Sequence, residues 1–389
     1  MIHHVLVLLG VLFMSKAPGP PKFEGQVVDD QVAIGYGLAI GDVDGDRKPD
    51  ILLADKKQFV WYRNGDWKRF VMVEDLTQAD NVCIAARDID GDGKVEVAVG
   101  AQWNPGETSD TVKSGSVHYL IRPKDPTQKW KPVKLHHEPT THRMAWVKAG
   151  NKYHLVVLPL HGRGNKGGEG NGVRIFAYEK PANPEKQWKL QLLDESMHLT
   201  HNLDVVPDGD GELIYIGGKE GIKVFTFKAN KWTVPASGAW LVPDESFGEV
   251  RAGARKFVAG IQPMHGTQLT VYAQANNKPV SFSEKQDLSK HVLTADLNQG
   301  HALATADLLG SGGLQIVVGW READKDGKVG VKVFIPEDEA GKRWQGHWVD
   351  ENGMACEDLK VADLNADGKP DIIAAGRDTK NLKIYWNRN

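Results

Sequence analysis

One short pattern recurs along the chain and leaves few folds open to it: an acidic, glycine-bounded turn between two apolar, β-branched segments. It reads Asp42-Val-Asp-Gly-Asp-Arg-Lys-Pro-Asp-Ile-Leu-Leu-Ala, then Asp88-Ile-Asp-Gly-Asp-Gly-Lys-Val-Glu-Val-Ala-Val-Gly, and again Asp363-Leu-Asn-Ala-Asp-Gly-Lys-Pro-Asp-Ile-Ile-Ala-Ala-Gly. A copy beginning at Asp307 keeps the frame and loses most carboxylates, and one beginning at Pro207 is shortened. Each copy reads as strand, tight polar turn, strand. Between them lies a second element with an aromatic start and period-2 alternation: Trp67-Lys-Arg-Phe-Val-Met-Val, Trp130-Lys-Pro-Val-Lys-Leu-His, Trp188-Lys-Leu-Gln-Leu-Leu-Asp and Trp344-Gln-Gly-His-Trp-Val-Asp. Looser copies surround Trp240 and Leu288, and Phe23-Glu-Gly-Gln-Val-Val-Asp is the seventh. A third element precedes each later copy, as in Val60-Trp-Tyr-Arg, Val173-Arg-Ile-Phe and Leu382-Lys-Ile-Tyr-Trp.

The three elements assemble into seven units of four strands, a to d, at the repeat length of a β-propeller. The predicted fold is all-β, a seven-bladed propeller over residues 22–389. The first d-strand, at Phe23, precedes any a–b–c set, and the chain ends on a c-strand. The N-terminal strand is therefore expected to complete the last blade, which leaves the ring no open edge. Twelve tryptophans against eight tyrosines then have a structural reason, since most mark the start of a d-strand that leans on a neighbouring blade.

Composition narrows the function. With 48 basic and 51 acidic residues and a net charge of −3, the chain lacks the basic excess that phosphate neutralisation demands, so no nucleic-acid partner is expected. Two cysteines, Cys83 and Cys356, cannot build a disulfide framework or a cysteine zinc site, and are expected as buried free thiols. Val5 to Met14 is apolar but too short to span a bilayer. With Ser15-Lys16-Ala17 behind it, residues 1–17 read as an export signal, which implies a periplasmic or extracellular location.

The acidic turns place side-chain oxygens at positions 1, 3, 5 and 9: Asp42, Asp44, Asp46 and Asp50; Asp88, Asp90, Asp92 and Glu96; Asp363, Asn365, Asp367 and Asp371. Alternate oxygens around a glycine turn suit a hard cation, calcium above all, in a structural role. The other reading is a metal-free turn in which the Asp side chains accept backbone N–H bonds.

These repeats resemble the FG-GAP/VCBS family of β-propellers over nearly the whole chain after Lys22. The stretches Asn298-Gln-Gly-His-Ala-Leu-Ala-Thr-Ala-Asp, Cys356-Glu-Asp-Leu-Lys-Val-Ala-Asp and Leu382-Lys-Ile-Tyr-Trp-Asn look more narrowly like the propeller module of fungal aldos-2-ulose dehydratase and its bacterial relatives. That resemblance implies a metal at the base of the propeller cleft and β-elimination on a keto-sugar such as 1,5-anhydrofructose or glucosone. The fungal enzyme's cupin domains, which isomerise the product, have no counterpart here, so the expected activity ends at the elimination product or uses another substrate.

The residues themselves point to the same end of the ring. Aligning the a-strands on Leu38, Ile84, Met144, Leu203, Leu303 and Leu359 puts Tyr36, Val82, His142, His201, His301 and Glu357 at one position, the top of the innermost strand. Blade five departs from this and offers Gly248, followed by Glu249-Val250-Arg251. The b–c loops reach the same face, bringing Pro159-Leu-His161-Gly, Pro263-Met-His265-Gly, Gln102-Trp103-Asn104 and Trp320-Arg321. Long b–c insertions at roughly 102–114, 161–172 and 321–330 would wall a pocket.

Three imidazoles in phase suit a divalent metal (zinc, manganese or magnesium) with His142, His201 and His301 as ligands, although a lone histidine is more often a hydrogen-bonded structural residue. His161 and His265 are then candidates for base and acid, and Tyr36, Arg251, Glu357 and Asp358 for orienting hydroxyls or a carboxylate. Trp103 and Trp320, flanked by Asn104 and Arg321, offer faces for sugar rings in a small carbohydrate substrate. Two alternatives remain open at this point: a non-catalytic glycan- or protein-binding propeller, and a polysaccharide lyase acting on uronic acids. The second would need a basic cleft, and Arg251 and Arg321 are the cations the sequence offers.

Overall fold

In a computed structural model the chain forms seven β-sheets arranged as the blades of one ring. The structure describes residues 20–389 except 236–239, 254–255, 275–279, 281–286 and 339–340. The export-signal reading of residues 1–17 lies outside the described residues. Among the described residues there are strands and turns but no helix, hence none long and apolar enough to cross a membrane.

Each blade is an antiparallel meander that runs outward from the axis. The innermost strands are Gly37–Gly41, Cys83–Arg87, Thr141–Ala149, Thr200–Asp208, Val250–Gly253, Gly300–Ala306 and Cys356–Ala362, for blades one to seven. They neighbour one another in ring order, and the first meets the last. Closure follows the expected route: Phe23–Asp29 pairs with Leu382–Asn387 as the outer strand of blade seven. The outer ladder thus ties both ends of the described chain together. Blade four differs, with five strands instead of four. Its outer edge is divided, Lys231–Thr233 pairing with residues 226–228 and Trp240–Pro243 with residues 221–223.

The core is distributed rather than central. Seven apolar clusters fill the seven gaps between adjacent blades. The d-strand tryptophans lie in these gaps, each against the preceding blade: Trp188 is 5.5 Å from Tyr119, Trp344 is 5.4 Å from Phe257, and Trp67 is 6.3 Å from Trp386 across the closure. Both cysteines are free and buried, Cys83 between blades two and three and Cys356 between six and seven.

The acidic turns show why their residue types recur. The first Asp of each full copy accepts two backbone N–H groups of its own turn, as Asp42 does from Gly45 (2.6 Å) and Arg47 (2.7 Å). Asp88 and Asp363 repeat this, and so does Asp307 in the copy that lost its other carboxylates. Asp46, Asp92 and Asp367 each cap a lysine N–H two residues on. The ninth residue is buried and accepts the second residue's N–H: Asp50 from Val43, Glu96 from Ile89, Asp371 from Leu364. In the carboxylate-poor copy Gln315 makes the same bond to Leu308 (2.6 Å). An amide doing a carboxylate's work shows that this position needs an acceptor, not a charge. Oxygens of Asp42, Asp44 and Asp50, and of Asp88, Asp90 and Glu96, also gather within 4.8 Å in their respective turns.

Candidate active site at the propeller axis

A local irregularity builds the site. Pairing between the a- and b-strands slips by one residue at His142, His201, His301 and Glu357, each the extra residue of a β-bulge. A bulge turns its extra side chain out of the alternating pattern. In blades one and two the a–b pairing is regular, and the equivalent Tyr36 and Val82 precede the strand.

The bulged histidines share one hydrogen-bond rule. Nδ1 of His142 meets the His201 carbonyl (2.8 Å), Nδ1 of His201 the Gly248 carbonyl (3.0 Å), and Nδ1 of His301 the Glu357 carbonyl (2.6 Å). Each of these imidazoles therefore bonds the backbone of another member of the set. A carbonyl only accepts, so Nδ1 carries the proton and Nε2 keeps a lone pair. Through its bond from His201, Gly248 takes the place of blade five's member.

Blade five supplies its imidazole from elsewhere. A Cβ at Gly248 would lie 3.1 Å from the His265 backbone nitrogen, so glycine there admits the b–c loop over the top of the strand. His265 itself has φ of 54°, a left-handed conformation that costs a non-glycine residue roughly 1–2 kcal/mol. Its Nε2 reaches 2.6 Å from Nε2 of His201. Ring centroids are 4.5 Å apart for His201–His265, 5.2 Å for His201–His301 and 5.0 Å for His265–His301. Ligand atoms of these three lie within 4.8 Å of one another. The grouping differs from the expectation that His142 would join His201 and His301. His142 instead packs between His201 (4.6 Å) and Trp103, whose ring stacks on it at 5.0 Å. A strand-based alignment could not foresee that a loop histidine would take the place.

Electrostatics keep these imidazoles neutral. Burial pushes His142 and His301 well below the usual histidine value, and the nearby Arg143 and Arg321 guanidiniums add to it. Burial, His201 and Arg321 push His265 down to about 2, while for His201 burial outweighs the pull of Glu249. Two buried carboxylates flank the group. Glu357 pairs with Arg321 and Arg377, both at 3.3 Å. Glu249 accepts from Asn202 (2.6 Å) and pairs with Arg251 (3.2 Å) and His201 (3.4 Å). Burial works against ionisation there, but His201 and Arg251 hold Glu249 down to about 2. Tyr36 donates to Asp80 (3.2 Å), and burial together with that carboxylate raises it to about 12.

Several expected residues have other duties. Trp320 is 1% exposed, packs on Trp348 at 5.4 Å and donates its indole N–H to Lys328, so it is core and offers no face to a sugar. Asp358 spends its oxygens on the N–H groups of Leu38 (2.8 Å) and Leu359 (2.9 Å) and on Lys360, joining blade seven to blade one. Asn104 is partly buried and donates to the Lys113 carbonyl. His161 is the exception: its backbone bridges Leu199, but its buried Nδ1 has no hydrogen-bond partner among the described residues. Four further residues join the site to which the sequence assigned no role: Arg377, Arg143, Gln299 (which accepts from Arg321 at 2.6 Å) and Glu249. Of these, Glu249 carried a signal: it is the acid directly after the irregular blade-five position. Below the histidines an axial cavity of about 490 Å³ runs toward the acidic turns, lined by Arg143, Asn202, Asp204, Arg251 and Lys360 among others.

Two family models match parts of the chain. Residues 42–99 match the FG-GAP-like repeat, and residues 114–275 match the β-propeller domain of aldos-2-ulose dehydratase. The chain is a seven-bladed β-propeller with FG-GAP-like repeats, and its central blades resemble that dehydratase domain. The matched stretch includes His142, His161, His201, Glu249, Arg251 and His265. No curated protein matches by sequence. Among solved structures, a chain in the crystal structure of the mitotic checkpoint complex aligns with a TM-score of 0.57 at 12% identity, covering 100% of each chain. BBS1N in complex with ARL6DN, in mercury- and lead-soaked crystals, aligns at 0.56 and 0.57 with 14% identity. Those alignments cover 94% and 95% of this chain and 96% and 97% of the other. At such identities the likeness is one of fold alone.

Proposed function

We propose that the chain is a metal-dependent carbon–oxygen lyase that carries out β-elimination on a keto-sugar at the propeller axis. The observation that carries this reading is the cluster of His201, His265 and His301, whose ligand atoms lie within 4.8 Å of one another, with the Nδ1 atoms of His201 and His301 bonded to backbone carbonyls. Neutral, oriented imidazoles are the donor set that zinc or manganese takes; magnesium prefers oxygen ligands. A divalent ion bound by them supplies Lewis acidity to a carbonyl or hydroxyl oxygen.

The chain's own groups provide the rest. His161, kept neutral by burial, is the candidate base for the proton beside the carbonyl. Tyr36 stays protonated throughout the physiological range and is the candidate donor to the departing oxygen. Arg321 and Arg377, fixed on Glu357, present N–H donors toward the sugar's oxygens. Trp103 offers its ring beside His142 as a stacking surface. Resemblance to the dehydratase domain supports the substrate class, a 1,5-anhydrofructose- or aldosulose-like sugar. The acidic turns, on the face away from the histidines, are the candidate holders of calcium in a structural role.

A uronic-acid lyase is the second reading. It is favoured by Arg143, which lies near all four histidines and forms no salt bridge with a carboxylate among the described residues. Elemental analysis of purified protein and of its His201→Ala, His265→Ala and His301→Ala variants tests the metal. Zinc or manganese lost from each variant supports the lyase, whereas calcium alone, unchanged by them, contradicts it.

A further inference from the structure

The bonding of the axial histidines is not uniform. His142 and His301 rest their Nδ1–H on a backbone carbonyl, at 2.8 Å and 2.6 Å. His201 lies over two acceptors, the Gly248 carbonyl at 3.0 Å and Oε1 of Glu249 at 3.4 Å. The carboxylate is 1% exposed. Its Oε2 is satisfied by Asn202 and Arg251, while Oε1 is buried and has no partner of normal hydrogen-bond geometry among the described residues. A fully buried carboxylate oxygen left short of a donor is costly and calls for an explanation. The donor facing it is the Nδ1–H of the histidine whose other nitrogen faces His265.

We infer that Glu249 is the positioning residue of the axial site: its carboxylate draws on the Nδ1–H of His201, fixes that ring's tautomer and makes its Nε2 the strongest donor toward a divalent metal. The inference rests on the metal reading above and adds which outer group tunes it. His201 touches His142, His265 and His301 in ring contact, so control of this ring orders the whole group. His301 is not equivalent, since the side chain of Glu357 stands 3.9 Å from its Nδ1 and is engaged by two arginines. A carboxylate behind a ligating histidine raises the ring's donor strength, and its loss typically weakens metal affinity by about 10–100-fold.

The test is zinc titration of the full chain by calorimetry, with wild type, Glu249→Gln and Glu249→Asp compared. Gln keeps the shape and the Asn202 bond but removes the charge; Asp keeps the charge for Arg251 and withdraws the oxygen from His201. Both variants are expected to bind zinc at least about tenfold more weakly than wild type while melting as a single folded species. Wild-type affinity in either folded variant overturns the role of Glu249 and leaves the metal reading standing. Failure of wild type itself to bind zinc, manganese or any first-row divalent ion overturns the metal reading, and the role of Glu249 with it. A measurement independent of variants is the ¹⁵N spectrum of the imidazoles in metal-free wild type. His201 is expected as the Nδ1–H tautomer, and an Nε2–H tautomer contradicts the proposal whether or not the variants fold.

Discussion

The Nε2 atoms of His201 and His265 stand 2.6 Å apart, although one sits on the innermost strand of blade four and the other on a loop of blade five. Gly248 makes the approach possible by leaving no side chain in the way. The pair places His265 inside the candidate ligand group and His142 beside it. Replacing His265 with Ala is accordingly expected to reduce affinity for zinc by more than the roughly 10–100-fold typical of an outer partner, whereas His142→Ala stays within or below that range. Parallel zinc titrations of the two variants decide between this grouping and one built on His142.

The sequence puts Trp103 and Trp320 on b–c loops of blades two and six, but the structure ends the strand Gln315–Trp320 on Trp320, and the two should part company in experiment. Trp320 fills the gap between blades five and six, so Trp320→Ala should cost about 3–5 kcal/mol of stability. Trp103 is half-buried and stacked on His142. Its removal should cost less stability and weaken sugar binding by about 1 kcal/mol, roughly fivefold. Chemical unfolding and glycan-binding titrations read the two effects separately.

Acid should destabilise the axis. All four clustered histidines are held below their unfolded value near 6.5. Below that pH the unfolded chain takes up protons that the folded state refuses, so stability is lost as pH falls. The slope is at most about 1.4 kcal/mol per pH unit for each group. Melting temperature should drop steadily from about pH 6.5 downward, and less steeply for His265→Gln. A profile flat between about pH 4 and 7 contradicts the buried neutral cluster.

Asp50 acts in the opposite sense. Burial raises it to about 7 against the pull of the Asn64 and Val43 N–H groups. A raised acid holds its proton in the folded state after the unfolded chain has lost it. Its contribution is therefore complete below about pH 4 and is lost as pH rises through about 7. Asp50→Asn, which copies the amide that Gln315 supplies at the same position, should fold and remove this loss. Melting profiles of the variant against wild type between about pH 4 and 7 check the sign. If a bound cation governs the turn instead, the variant loses stability there.

Much of the fold was legible because a propeller repeats its turn and its d-strand aromatic in blade after blade, so even degenerate copies such as the one at Asp307 keep register. Closure by Phe23–Asp29 followed from a strand left over at each end of the count. The phase of His142, His201, His301 and Glu357 was also legible, since they share an offset from an apolar column. What was not legible depends on reach across the ring. Nothing in local sequence says that Gly248 is vacated for His265, that Trp320 turns into a blade gap, or that Asp358 is spent on Leu38. The divided edge of blade four is hidden for a related reason: a strand of three residues is below the length at which alternation is recognisable.

Elimination on a keto-sugar is tested most directly by ultraviolet absorbance during incubation of the metal-loaded protein with 1,5-anhydrofructose and glucosone. β-Elimination converts a saturated ketone into a conjugated enone. Wild type is expected to give an absorbance rise that continues over many turnovers, falls at least about a hundredfold with His161→Ala, and disappears with chelator. No rise on these or a broad set of keto-sugars and uronates, with tight glycan binding by metal-free protein, contradicts the lyase and leaves a binding propeller in its place.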